Sequence, residues 1–267
     1  MKILFLGVFL VITVFPLYWI IITSLKPSKD IFSIPLHYWP KNFTFENYLS
    51  LFSFSDLHVY IINSLIVAIV SGACTVLISI FSAYVLARYE FKGKGQVITA
   101  FFLTQMVPIF IALGPLYMLM SNLHMLNKLP PLMLMYTVMM IPFCTIMLKG
   151  FFERIPVSIE EAAIMDGCNR IQAIFKVVFP IMLPGIAATF IFAFVQSWNE
   201  LFLAIMFIDT DGAKTIPVAM NSFITKFNID WGSMSAATVI SVIPTLLLFA
   251  FFQKYIVEGI GEGAVKG

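Results

Sequence analysis

Six long apolar stretches constrain the fold of this chain more than any other feature. Each is close in length to the roughly 20 residues that a helix needs to cross a bilayer. The 267 residues are 60% hydrophobic and 11% charged, whereas about a quarter of the residues in a soluble domain are charged. The sequence therefore predicts an all-α membrane protein of one domain, residues 1–267. Its six spans are expected at about 3–25, 59–87, 97–121, 130–148, 181–208 and 233–253.

The first apolar stretch has two interpretations, a membrane span or a removable signal peptide, because Lys2 precedes it. Residues 3–25 carry no charge and exceed the apolar core of a signal peptide, which is about 7–15 residues long. No cleavage site with small residues follows before Lys26 and Pro27. These features favour a membrane span.

The positive charges predict the orientation of the spans. Six spans place both termini on one side, and ten of the sixteen Lys and Arg residues then lie on that side, including all three arginines. Positive residues are enriched in cytoplasmic loops. The sequence therefore predicts cytoplasmic termini and a cytoplasmic loop at about 150–180, between spans four and five.

This loop carries signals for a short helix. Ser158 and Glu161 have the spacing of a capping box, which predicts a helix that begins at Ser158. Asp166 and Gly167 are a plausible end, because glycine adopts the left-handed conformation that follows many helices. A helix of about two turns is unstable alone in water and needs a partner surface.

A second helix is expected directly after the first. Asn169 and Gln172 have capping spacing, and the apolar residues that follow are predicted to share one face. These residues are Ile171, Ile174, Phe175 and Val178. Pro180 and Pro184 stiffen the connection and are predicted to form a hinge into span five.

The loop resembles the EAA loop of ABC importer permeases. The similarity rests on Glu161-Ala162-Ala163, then Gly167 after a gap of three residues, then Val177-Val178-Phe179-Pro180 after a further gap of nine. Val177 and Phe179 depart from the Ile and Leu that are usual in the family. The resemblance implies that the loop docks onto an ATPase subunit, and that Glu161 bonds to an arginine of that partner. The alternative, that Glu161 caps its own helix, stays open. The expected coupling residues are Glu160, Glu161, Ala162, Ala163, Asp166 and Gly167.

Shorter strings along the whole chain resemble the carbohydrate (MalG-like) branch of this family. They are Asn63-Ser64-Leu65, Ser82-Ala83-Tyr84, Ala87-Arg88-Tyr89, Trp198-Asn199-Glu200, Thr215-Ile216-Pro217-Val218 and the terminal Gly263-Ala264-Val265-Lys266-Gly267. The resemblance implies four kinds of partner: a second, non-identical permease, a pair of ATPase subunits, an extracytoplasmic solute-binding protein and membrane lipid. It also implies a sugar or oligosaccharide as cargo, with a polyol or phosphorylated polyol as the alternative.

Glu200 is the only charged residue in span five, nine residues before Asp209. At 1.5 Å per residue it lies about 13 Å inside the outer end, where a charge costs about 2.5–3.5 kcal/mol. One hypothesis places Trp198, Asn199 and Glu200 beside the sugar pathway. The other gives Glu200 a structural hydrogen bond to a neighbouring helix.

Span three contains a further polar candidate. Gln105 is either a pathway residue or a partner in helix–helix hydrogen bonding. Pro108 and Gly114-Pro115 interrupt this span and are expected to kink it.

Several classes of site and protein are not predicted. The Lys and Arg residues form no basic face for nucleic acid, and no GxxxxGK[ST] phosphate loop is present, so ATP and magnesium are expected on a partner. Neither the cysteines nor the histidines have the spacing of metal ligands: Cys74, Cys144, Cys168, His37, His58 and His124. A self-sufficient secondary transporter remains an alternative class, but the two halves of the chain show no paired inverted repeats.

Overall fold

The computed structural model describes residues 1–54, 56–224 and 229–264, and almost all of this chain is helical. The three C-terminal residues of the string Gly263-Ala264-Val265-Lys266-Gly267 lie outside the described residues. In chain order the helices are α1 Lys2–Ser24, α2 Ser28–Ile31, α3 Glu46–Phe54, α4 Leu57–Arg88, α5 Lys94–Met106, α6 Ile109–Asn122, α7 Leu129–Arg154, α8 Val157–Met165, α9 Arg170–Ala173, a π-helix Ile174–Val178, α10 Phe179–Trp198, α11 Phe202–Phe207, a 3-10 helix Asp211–Ala213, α12 Ile216–Asn221 and α13 Trp231–Ala264.

Five helical segments are long and apolar enough to cross a membrane. They are Lys2–Ser24, Leu57–Arg88, Leu129–Arg154, Arg170–Trp198 and Trp231–Lys254. The pair α5 and α6 passes the same test only when its two helices are counted together, and they are bent by 91°. The described residues thus contain five candidate spans, or six if the bent pair is one span.

The bend in the third predicted span is sharper than a proline kink. α5 ends at Met106, residues 107 and 108 are extended, and Pro108 is the N-cap of α6. Pro115 lies inside α6 without breaking it. Since proline disfavours helical geometry in the preceding residue, Pro108 accounts for the end of α5 at this point.

The predicted fifth span also differs from the observed helices. The long helical segment begins at Arg170 and ends at Trp198, and α11 follows after a non-helical turn at residues 199–201. The prediction of one apolar span at 181–208 missed this turn, because the apolar run continues through it.

The chain divides into two compact units, of which the first contains residues 1–64 and 209–247. Within this unit, Asn47 donates hydrogen bonds to the carbonyl oxygens of Ser24 (2.8 Å) and Lys26 (2.9 Å). Gly232 lies so close to Asn47 that a Cβ atom would be 2.4 Å from Asn47 Oδ1. Asn47 therefore joins the end of α1, α3 and the start of α13.

Two of the short strings that carry the family resemblance meet in the first unit. Asn63 Nδ2 donates to the carbonyl oxygens of Gly212 (3.1 Å) and Lys214 (3.0 Å), and the backbone N–H of Ile216 donates to Ser64 Oγ (2.8 Å). The hydrogen bond from Lys214 to Asp211 raises the pKa of Lys214 above its ordinary value, against the opposite effect of burial. The hydrogen bonds of Asn63 and Ser64 therefore attach the start of α4 to the segment that leads into α12.

The second unit contains residues 65–208 and 248–267, and its core lies between α4, α7 and α10. The core is a cluster of Val76, Ile80, Ala83, Leu148, Phe152, Ile155, Val178 and Met182. Ile159 of α8 packs against the same cluster. The loop helix is therefore attached to the core through its own apolar side.

Candidate functional site

α8 is the short helix expected in the 150–180 loop, but it does not begin with a capping box. It begins at Val157 with Pro156 as N-cap, and no side-chain hydrogen bond caps it. Pro156 adopts φ −58° and ψ 135°, a geometry that lets the next residue start a helix. Ser158 therefore lies inside the first turn and cannot act as the cap, so the capping-box prediction for Ser158 and Glu161 is wrong.

The predicted end of α8 is confirmed. The helix ends at Met165, Asp166 is its C-cap, and Gly167 has φ +92°. The Cys168 N–H donates to the carbonyl oxygen of Ala163 (3.0 Å), and the Gly167 N–H to that of Ile164 (3.0 Å). This pair of bonds is a Schellman motif, which satisfies the last carbonyl groups of the helix.

The two adjacent glutamates of α8 lie in opposite environments. Glu160 is 7% exposed, and Ala163, one turn further along, is also 7% exposed. Glu161 and Ala162 are exposed. The helix thus presents Glu161 outward and turns Glu160 toward its own chain.

Glu160 is held by residues at the end of α4. Its Oε1 accepts from Arg88 Nε at 2.6 Å, and its Oε2 accepts from Tyr84 Oη at 2.9 Å. Arg88 also donates through its terminal nitrogen to the carbonyl oxygen of Ile155 at 2.9 Å. Neither Arg88 nor Tyr84 was predicted from the sequence as a partner of this loop. Tyr84 and Arg88 are four residues apart, which places them on one face of α4. This spacing could have indicated that they act together, but it does not identify Glu160 as their partner.

The exposed side of α8 combines one anion with apolar side chains. Val157, Ile164 and Met165 are 50%, 42% and 86% exposed, and their spacing from Glu161 places them on the same face of α8. Large apolar side chains that remain exposed beside a charge are typical of an interaction surface. A pocket of about 290 Å³ adjoins this side and includes Glu161, Ile164 and Arg170 in its lining.

The predicted capping of the second helix is confirmed. The Gln172 N–H donates to Asn169 Oδ1 (2.9 Å), and the Asn169 N–H donates to Gln172 Oε1 (3.0 Å), which together form a capping box. The helix changes to a π-helix at Ile174 and returns to α geometry at Phe179.

The predicted apolar face of this second helix is not a single buried face. Val178 is buried, while Ile171 and Phe175 are 67% and 52% exposed. The π-helix explains the difference because it holds an extra residue per turn and rotates the residues that follow it. Pro180 lies in the first turn of α10 and Pro184 lies inside it, and α10 continues through both. Whether they act as a hinge stays a prediction.

The three residues proposed beside a substrate pathway lie at the break between α10 and α11, in different environments. Trp198 is 3% exposed and stacks on Phe194, with ring centroids 5.7 Å apart. Asn199 is exposed, and its Nδ2 donates to the carbonyl oxygen of Val195 (3.0 Å).

Glu200 bonds to groups of its own chain. Its Oε2 accepts from Tyr136 Oη at 2.6 Å, and its Oε1 accepts from the N–H of Leu203 at 3.0 Å. The N–H of Ala204 donates to Oε2 at 3.3 Å. A carboxylate in this position satisfies the free N–H groups at the start of α11 and interacts favourably with the helix dipole. This arrangement agrees with the second of the two hypotheses for Glu200, a structural hydrogen bond to a neighbouring helix, because Tyr136 lies in α7.

Gln105 lies near the other break, at the end of α5. Its side chain is exposed, and Nε2 donates to the carbonyl oxygen of Met139 in α7 at 3.3 Å. The two breaks are connected by packing of α6 on α11, where the rings of Phe110 and Phe202 lie 4.7 Å apart in an edge-to-face contact. No group of His, Cys, Asp and Glu that could hold a metal ion occurs among the described residues.

Comparison with known proteins identifies the family of this chain. Residues 75–262 match the model of the family described as "Binding-protein-dependent transport system inner membrane component". The chain belongs to this family. It is therefore a multi-pass protein of the inner membrane and a non-catalytic permease component of an ABC importer.

Curated relatives of this permease match it over nearly its full length. It is 39% identical to the sulfoquinovosyl glycerol transport system permease protein SmoH of Agrobacterium fabrum, over 98% of this chain and 92% of SmoH. It is 37% identical to the diacetylchitobiose uptake system permease protein DasC of Streptomyces coelicolor, over 99% and 94%. It is 34% identical to the trehalose/maltose transport system permease protein MalG of Thermococcus litoralis, over 96% and 93%.

Two solved structures share the fold of this permease. A chain of a bacterial ABC transporter involved in the import of the acidic polysaccharide alginate superposes with a TM-score of 0.77 at 20% identity, covering 96% of this chain and 95% of that one. A chain of a bacterial alginate ABC transporter in complex with an alginate pentasaccharide-bound periplasmic protein gives a TM-score of 0.68 at 16% identity, covering 94% and 91%. The helical fold of this chain is therefore that of these two transporter chains.

Proposed function

We propose that this chain is one of two non-identical permeases of an importer for a sugar or oligosaccharide. A solute-binding protein delivers the cargo from outside, and a pair of ATPase subunits, which carry ATP and magnesium, drives the transport. The observation that carries this proposal is the outward side of α8, where Glu161 stands among exposed apolar side chains in a loop of the EAA pattern.

The outward side of α8 is the docking surface for an ATPase subunit. Glu161 makes a charge-assisted hydrogen bond to an arginine of the partner, while Val157, Ile164 and Met165 enter an apolar cleft. Small Ala162, also exposed, permits close approach of the partner. Asp166 and Gly167 end the helix so that its outward side remains short and rigid.

The breaks at residues 107–108 and 199–201 border the substrate pathway. Non-helical backbone within a bilayer is stable only where protein buries it or where it lines a water-filled cavity. Gln105 and Asn199 lie at these breaks with exposed polar side chains that can bond sugar hydroxyl groups. Trp198 and Glu200 support the pathway from behind, because Trp198 is buried and both carboxylate oxygens of Glu200 accept hydrogen bonds from the chain itself.

The cargo class rests on the named relatives, which are permease proteins of transport or uptake systems for sulfoquinovosyl glycerol, diacetylchitobiose and trehalose or maltose. Each of these compounds contains a glycosidic bond and many hydroxyl groups. A polyol or phosphorylated polyol is the second candidate. It is favoured only by the hydroxyl groups it shares with sugars and by the glycerol unit of one relative's cargo.

Docking is tested by purifying the complex from native membranes through a tag on this chain. We expect an ATPase subunit to copurify with the wild type and to be lost with Glu161→Lys, because the reversed charge faces the arginine of the partner. Glu90→Lys is the matched control, since the Glu90 side chain is 88% exposed and lies just after α4. Equal ATPase recovery with Glu161→Lys and wild type contradicts the docking proposal.

Cargo is tested by reconstituting the purified complex in liposomes with its binding protein. We expect ATP-dependent uptake of a radiolabelled disaccharide from a panel of maltose, trehalose and diacetylchitobiose. Glycerol, mannitol and glycerol phosphate serve as the alternative panel. Uptake confined to the second panel contradicts the sugar assignment and leaves the importer assignment unchanged.

A further inference from the structure

We propose that Arg88 and Tyr84 are positioning residues that attach the docking helix α8 to α4. Through them α4 becomes a second element, beside α10, that moves with the ATPase. The proposal rests on the proposed docking function of α8.

The attachment is a closed set of contacts around one carboxylate. Both oxygens of Glu160 are used, one by Arg88 Nε (2.6 Å) and one by Tyr84 Oη (2.9 Å). The side chains of Arg88 and Glu160 are only 8% and 9% exposed. Two opposite charges that are removed from water separate only at a large cost, so the contact behaves as a rigid connection.

Arg88 also fixes the end of α7 in the same place. Its terminal nitrogen donates to the carbonyl oxygen of Ile155, which directly follows α7. Ile155 belongs to the apolar cluster that includes Ala83 of α4, and Ile159 packs against this cluster. Apolar contacts alone allow one helix to slide on another, whereas the directed hydrogen bonds of Arg88 fix the position of α8.

The connection from α8 to α10 along the chain is of a different kind. It passes through the left-handed Gly167, the four-residue α9 and the π-helix Ile174–Val178. These are irregular elements, and a π-helix inside a helical segment is often found at functional sites. The contact of α8 with α4 is direct and has no such intermediate, so α4 follows α8 more closely than α10 does.

The first experiment compares Glu160→Gln with wild type in the reconstituted complex. Glutamine preserves the shape and can still accept a bond from Tyr84, but it removes the charge that holds Arg88. We expect ATPase subunits to copurify as in the wild type, because Glu161 and its exposed neighbours are unchanged. We expect the number of cargo molecules imported per ATP hydrolysed to fall about five-fold or more, in the usual range of coupling between sites.

The matched control is Glu153→Gln. Glu153 forms an ion pair with Lys149 on α7, and its side chain is 50% exposed. We expect this variant to import as many molecules per ATP as the wild type. The positioning role is contradicted if Glu160→Gln imports as many cargo molecules per ATP hydrolysed as the wild type. This includes the case in which import and ATP hydrolysis both fall by the same factor.

Tyr84→Phe provides a milder variant in case Glu160→Gln does not fold. It removes one bond to Glu160 and keeps the ion pair with Arg88. We expect a smaller loss in the same ratio, and an unchanged ratio would count against Tyr84 as a positioning residue. Failure of the docking proposal would show separately, as full ATPase recovery with Glu161→Lys.

The second experiment measures the attachment directly. Spin labels are placed at the exposed residues Ser158 on α8 and Lys92 after α4, in a variant whose three cysteines are replaced. We expect one narrow distance distribution that is the same with and without ATP, and a broader one in Glu160→Gln. A distance that changes with ATP in the otherwise wild-type chain overturns the proposal.

Discussion

At the scale of single residues, the neighbours Glu160 and Glu161 lie in different environments because of the geometry of the helix that carries them. Consecutive residues are rotated by about 100° around a helix axis, since a turn holds 3.6 residues. With Ala163 buried, Glu160 on the same side must be buried too, and it requires the partners that Arg88 and Tyr84 supply. Glu161, the next residue along the helix, is instead exposed.

Glu200 is a second residue whose role follows from its contacts. The carboxylate accepts from Tyr136 Oη and from backbone N–H groups at the start of α11. It therefore stabilises the turn between α10 and α11 rather than extending into open space. Asn199 beside it is exposed, and its side chain donates a hydrogen bond to the carbonyl oxygen of Val195, one turn earlier in the chain.

We expect Glu200→Ala and Asn199→Ala to change different properties of the protein, the first its stability and the second its KM for uptake. Glu200→Ala leaves buried donors without an acceptor and costs about 1–3 kcal/mol of stability, while the relative uptake of different sugars by the surviving protein stays unchanged. Asn199→Ala leaves stability nearly unchanged and raises the KM for uptake.

Thermal unfolding of the detergent-solubilised complex and uptake kinetics measure these two effects. An altered sugar preference in Glu200→Ala, at wild-type stability, would place the carboxylate in the pathway instead.

At the scale of elements, α7 and α10 pack so closely that one position excludes any side chain. A Cβ atom at Gly185 would lie 2.6 Å from Cγ of the Phe151 ring and 2.9 Å from two further ring atoms. Small residues let helices approach closely in membranes, where dispersion and hydrogen bonds replace the hydrophobic effect as the driving force. Gly185 thus determines the distance between α7 and α10.

We expect Gly185→Ala to destabilise the protein by about 1–3 kcal/mol, as overpacking of a core does. Gly150→Ala on α7 is the matched control, because no heavy atom beyond its chain neighbours and the backbone of its own helix lies within 4 Å of its Cβ position. Alanine there is expected to stabilise the helix by about 0.5–1 kcal/mol. Melting temperatures of the two variants should therefore change in opposite directions, and a Gly185→Ala protein as stable as wild type would contradict the packing argument.

At the scale of the whole molecule, orientation in the membrane is the prediction with the widest consequences. The proposed docking surface on α8 can meet an ATPase only if the 150–180 loop is cytoplasmic. The distribution of Lys and Arg supports that orientation, with all three arginines on the predicted inner side.

The orientation is measured with single cysteines in a cysteine-free variant and a maleimide that does not cross membranes. In right-side-out vesicles we expect cysteine at Lys41 to react and cysteine at Ser158 to react only after the membrane is opened. Both positions are exposed. Reaction of Ser158→Cys in intact vesicles would contradict the cytoplasmic placement of the loop.

Much of the architecture could be predicted because it depends on local patterns. Apolar runs of sufficient length predict membrane helices wherever they occur, and the end of α8 at Asp166 and Gly167 follows from the conformational freedom of glycine. The capping box at Asn169 and Gln172 is similarly local. The local patterns were insufficient where an apolar run continues through a break, as at residues 199–201.

The sequence by itself determined the helical membrane fold, the presence of a short helix between two membrane spans and the family, because chain length, hydrophobicity and motif spacing are properties of consecutive residues. Only the tertiary structure decided which glutamate faces inward, and that Ser64 and Ile216, 152 residues apart, share a hydrogen bond. The physical reason is that a buried polar group is stable only when another part of the chain supplies its partner. Such partners are defined by packing and not by spacing along the sequence.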